Sequence, residues 1–112
     1  MPFREFLDIL RPILVLYDDC DYESAAILAR KDLGLATERS LKILLQAFVY
    51  YFEGHSRWES SYDYGMARGL LGKAIDVVDE NLEFCSDVEK QGLMCLQSLS
   101  SVLEAAINLE NA

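Results

Sequence analysis

The stretch 41–52, LKILLQAFVYYF, restricts what this chain can fold into more than any other. Leu41, Ile43, Leu44, Leu45, Ala47, Phe48, Val49, Tyr50, Tyr51 and Phe52 leave almost no polar side at helical spacing. A helix that is apolar all round has to be surrounded by other elements. No apolar run in the chain approaches the ~20 residues needed to span a bilayer, so the chain itself must supply those neighbours. The stretch is therefore expected as a central helix, capped by Thr37, running to Glu53 and stopped by Gly54.

The remaining apolar residues also recur at helical spacing, and no segment alternates as a strand does. The expectation is an all-α, single compact domain over residues 1–112 with about five helices. Its length suits one core without staples. The first helix covers 3–17, with Pro12 kinking or restarting it. Asp21 caps a second helix through Leu33, and Gly34 supplies a left-handed stop. HSRWES is expected as the longest internal loop. Ser60 with Asp63 forms a capping-box pattern for a fourth helix to about Phe84, and Ser86 with Glu89 repeats it for a fifth to about Leu109. The fifth carries the stripe Val88, Gly92, Cys95, Leu99, Val102, Leu103 and Ala106. Two helical hairpins plus this C-terminal cap, or an irregular helical bundle, both satisfy the pattern.

Charge narrows function. Nineteen acidic residues against ten basic give a net charge of −9, and no Lys/Arg stripe offsets it, so direct nucleic-acid binding is disfavoured. A basic partner, or mimicry of nucleic acid, suits the sign. Cys20, Cys85 and Cys95 are odd in number and lack CxxC spacing, which fits neither a disulfide framework nor a zinc site. Cys85 aligns with Ala67, Ala74 and Val78, and Cys95 with Val88 and Leu99, as core cysteines do. Carboxylates around Cys20 disfavour its thiolate and make it a poor nucleophile. The N-terminal segment has neither a basic start nor a small-residue cleavage site, so a cytoplasmic, membrane-free protein is expected.

Two segments resemble each other. Tyr22 stands three residues before Ala25, and Tyr64 three before Ala67, with Ala74 seven further on. This resembles the second-helix signature of tetratricopeptide repeats, where small residues let paired helices approach closely. The resemblance implies protein or peptide binding on a concave face and assigns no ligand residue.

Candidate sites are few. His55, just past the expected stop at Gly54, reads as a capping or surface histidine rather than a catalytic one. Asp18, Asp19 and Asp21 lack the spacing of a calcium loop. Gly65, Gly69 and Gly72 form a stripe opposite the apolar face of the fourth helix, above Asp76, Asp79 and Glu83. Each glycine costs roughly 1 kcal/mol in a helix interior, so the stripe invites close approach by a helix, a partner or a second copy of the chain. Residues 76–89 add six acidic side chains and no basic one. Trp58, Tyr62 and Tyr64 would anchor a protein partner beside this stripe. The expected function is a small acidic, non-catalytic protein-interaction module without cofactor or metal, with a homodimer open. The alternative is an inhibitor or immunity-type protein that neutralises a basic nucleic-acid-acting partner.

Overall fold

The computed structural model describes residues 3–81 together with 83, 90, 94, 97, 101, 104, 105, 108 and 109, excepting the side chains of 3–7 and 40. Four helices are delimited: α1 (Phe3–Asp18), α2 (Tyr22–Leu35), α3 (Arg39–Ser61) and α4 (Tyr64–Asn81). Among the described residues there is no strand, so the chain is all-α, with four delimited helices rather than about five. The predicted fifth helix, its capping box and its stripe, with Cys85, fall largely outside the described residues. Positions 90, 94, 97, 101, 104, 105, 108 and 109 are helical. Two contacts orient them: Arg68 Nη1 donates to Asn108 Oδ1 at 3.0 Å, and Gln97 Nε2 donates to Asp79 Oδ1 at 2.6 Å. Rising residue numbers on α4 thus meet falling ones at these two contacts, so the described positions 97 and 108 follow α4 in antiparallel order.

The helices stack in chain order, α1 on α2, α2 on α3 and α3 on α4. The radius of gyration is 13.5 Å, against about 13 Å expected for a folded chain of this length. α3 lies in the middle, as its uniformly apolar stretch requires. Leu41, Leu44, Leu45, Ala47, Val49, Tyr51 and Phe52 are all buried. Small residues set the helix spacing: Ala25, Ala26 and Ala29 of α2 and Ala67 and Ala74 of α4 are buried toward it. α1 adds Leu10 and Ile13 to the core and continues through Pro12 without restarting.

The helix boundaries correct several expectations. Asp21 caps α2 as predicted, its Oδ1 accepting from the Ser24 N–H at 3.2 Å. Gly34 does not end that helix: no glycine has positive φ among the described residues, and the cap is Ala36 in an extended conformation. α3 starts after Glu38 rather than being capped by Thr37, and Glu38 makes no side-chain capping bond. Nor does Gly54 stop α3, which continues through HSRWES to Ser61. The physical reason for Gly54 is packing. A Cβ there would meet Leu71 Cγ at 3.0 Å and the Ala67 carbonyl oxygen at 3.3 Å, so glycine lets α3 and α4 touch. The true stop is Tyr62, left-handed at φ 52°. Asp63, expected at the third helical position, is itself the cap of α4, accepting from the Met66 N–H at 3.2 Å. The two similar segments are therefore built alike: Asp cap, Tyr as first helical residue, and a fully buried Ala at Ala25 and Ala67.

Candidate functional site

Extending α3 by two turns places polar residues where a loop was expected. Glu53, Ser56 and Ser60, at i, i+3 and i+7, lie along one side of the helix. Tyr51, His55 and Trp58, at i, i+4 and i+7, lie along the opposite side. These two faces hold the features that could carry function.

The first face floors an open groove of about 860 Å³ between α2 and α4. Glu23, Ile27 and Arg30 of α2 form one wall, and Met66, Gly69, Leu70 and Lys73 of α4 the other. Helical spacing explains the α2 wall, because these residues share the side away from its buried Ala25 and Ala29. Ile27 and Met66 face the groove while 60% and 48% exposed. Arg30 pairs with Glu53 across the α2–α3 contact. Among the described residues the lining carries Glu23, Glu53 and Asp63 against Arg30, Arg57 and Lys73, so its described charges balance within an acidic chain. Its described lining includes neither histidine nor cysteine.

The second face is sealed by aromatic rings. His55 is stacked on Tyr22, centroids 3.8 Å apart and planes 16° apart, with Trp58 on a near-parallel plane at 5.8 Å. Tyr17 and Tyr51 meet its edges, and their hydroxyls share a hydrogen bond of 2.6 Å. His55 is 7% exposed, which corrects the expectation of a surface or capping histidine. Its Nε2 lies 3.7 Å from Glu59 Oε1, while the buried Nδ1 has no hydrogen-bond partner among the described residues. Burial pushes the imidazole below its ordinary titration range, partly opposed by Glu59. Tyr22 also shares a hydrogen bond with Cys20, which together with burial pushes its phenol well up. Cys20 itself is exposed at the α1–α2 corner, left-handed at φ 63°.

The predicted anchor and stripe residues are distributed over these surfaces rather than gathered into one. Trp58 is half-buried and belongs to the aromatic face. Tyr62 is exposed and Tyr64 half-buried, with ring centroids 6.5 Å apart at the α3–α4 corner. Gly69 lines the groove. Cβ atoms built on Gly65, Gly69 and Gly72 meet nothing within 4 Å, so no described residue covers the stripe. Asp76 and Glu83 are exposed, and Asp79 accepts from Gln97. The groove residues Ile27, Arg30, Ser56 and Met66 were not legible as a site. Their signal was an isoleucine on the polar side of α2, opposite its alanines.

Among the described residues, no group of three His, Cys, Asp or Glu side chains could hold a metal ion. Among them too, no helix is long and apolar enough to cross a membrane. No protein-family model, curated protein or solved structure matches the chain.

Proposed function

We propose that this chain is a non-catalytic protein-binding module whose α2–α3–α4 groove takes up a helical segment of another protein. The observation that carries the reading is the exposure of Ile27 and Met66 on facing walls of an open trough floored by polar residues. An amphipathic helix laid in such a trough buries apolar anchors and meets paired charges at the rim. The tetratricopeptide-like placing of Tyr22, Ala25, Tyr64 and Ala67 supports the same reading, since that family binds peptides on concave faces. A cytoplasmic location belongs to this proposal.

Balanced charge in the groove makes a specific demand. Binding there is driven by apolar burial and responds weakly to ionic strength. The exposed carboxylates Asp18, Asp19 and Asp21 at the acidic α1–α2 corner support the second reading, an inhibitor that presents carboxylates to a basic partner. Affinity in that case falls steeply as salt rises.

The test captures the partner from the native cell with wild-type chain, with Ile27→Asp/Met66→Asp, and with Val15→Asp on the outer side of α1 as a control. Loss of one partner in the groove variant alone, unchanged between low and moderate salt, is the expected result. Retention by the groove variant contradicts the proposal, and steep salt dependence transfers the site to the acidic corner. Light scattering of the purified chain reports whether that partner is a second copy.

A further inference from the structure

His55 is buried, yet one of its nitrogens is unsatisfied. Glu59 beside Nε2 selects the tautomer with the proton on that nitrogen, leaving Nδ1 as a bare acceptor buried among rings. A proton added at Nδ1 creates a buried N–H that no described residue accepts. Glu59 already lies beside Nε2 and is 50% exposed, so an imidazolium that swings out of the ring sandwich keeps this carboxylate within reach while water takes the Nδ1 proton's hydrogen bond.

The position of the ring gives this chemistry a mechanical consequence. Tyr22, stacked face to face on His55, is the first residue of α2. One residue on, Glu23 lines the groove wall, followed by Ala26 and Ile27. On α3, His55 sits between the groove-floor residues Glu53 and Ser56. The stack therefore ties the start of the wall to the floor from behind.

We propose that His55 is a proton-operated latch: protonation drives the imidazole out toward Glu59 and frees Tyr22, with the first turn of α2, from α3. The groove wall is then held at neutral pH and loosened by mild acid. The effect on partner binding rests on the reading given above, whereas the latch does not, and its test needs no partner.

Among the described residues, the groups facing His55 are few. α1 presents Tyr17, α2 presents Tyr22 with Cys20 hydrogen-bonded behind it, and α3 presents Tyr51, Trp58 and Glu59. Glu59 is the carboxylate among them. It favours the cation, as do the faces of Tyr22 and Trp58, so the latch requires burial and the orphaned N–H to outweigh all three. In sign, a histidine depressed on folding leaves stability unaffected above its ordinary value near 6.5. Stability then falls as pH drops from there toward the lower folded midpoint, because only the open form takes the proton readily.

As the only histidine in the chain, His55 gives a single resolvable imidazole signal, and Trp58, the only tryptophan, reports the stack. The titration of both is followed from pH 7.5 to 5, with amide exchange of residues 24–27, whose N–H groups are the first of α2 to be hydrogen-bonded. The expected imidazole midpoint lies below 6.5, and Trp58 emission shifts with the same midpoint. Protection at 24–27, corrected for intrinsic exchange, falls by up to about tenfold per pH unit, the limit for one coupled proton. His55→Phe keeps a ring in the stack and makes that protection flat across the range. A midpoint above 6.5 would mean that the rings hold the cation in place, which overturns the latch. Equal loss of protection in His55→Phe overturns it as well. The wild-type titration decides the first point even if the variant folds poorly.

Discussion

The two sides of α3 are made from the same few turns of helix and behave oppositely. On the back, Tyr51, Phe52, His55 and Trp58 are closed against Tyr17 and Tyr22. On the front, Glu53, Ser56, Arg57 and Ser60 lie open beneath Ile27 and Met66. The back is where Tyr17 at the end of α1 and Tyr22 at the start of α2 meet α3. The front faces a gap because α2 and α4 flank α3 without closing over it. The back thus holds the chain together, while the front leaves apolar surface uncovered that another chain could bury.

Substitutions sharpen this contrast, and the largest effects belong to the back. Phe52 is 1% exposed, so Phe52→Ala should cost about 3–5 kcal/mol in urea unfolding. Ser60→Ala on the exposed front should stay within about 0.5 kcal/mol. Comparable losses at the two positions would break the comparison.

The glycines give the next test. Gly54→Ala pushes a methyl against Leu71 and the Ala67 carbonyl, and should cost about 1–3 kcal/mol through overpacking. Gly69→Ala on the groove wall meets nothing within 4 Å, and should gain up to about 1 kcal/mol from helix propensity. Opposite signs for two glycines in neighbouring helices are the expected result.

Smaller still is the hydroxyl pair behind the stack. Tyr17→Phe removes a 2.6 Å hydrogen bond to Tyr51 and should cost about 0.5–1.5 kcal/mol. On the front, Arg30→Ala breaks an ion pair whose arginine is 62% exposed, and should cost less than about 1 kcal/mol.

Much of the architecture was legible because the apolar pattern is helical from end to end. The central place of α3 followed from the run 41–52, which has no polar side to show to water. The Asp21 cap followed from residue type and position. What misled was Gly54, because glycine serves two physical ends, helix termination and close helix contact. Only the distance to Leu71 separates them here. Reading it as a stop turned HSRWES into a loop, exposed His55 and hid the polar floor of the groove. Tyr62 gave no warning, since left-handed tyrosines are rare. Asp63 could have been found by aligning the repeated Asp-Tyr-x-x-Ala segments one residue earlier.

The central claim is that the front of α3, and not its back or the outer side of α1, receives a partner. Photo-crosslinking in the native cell tests it most directly, with a photoreactive residue at Met66 in the groove or at Val15 on α1. One discrete adduct is expected from Met66, none from Val15, and the Met66 adduct is lost when Ile27 is changed to Asp. An adduct from Val15 alone, or a Met66 adduct indifferent to Ile27→Asp, would contradict it.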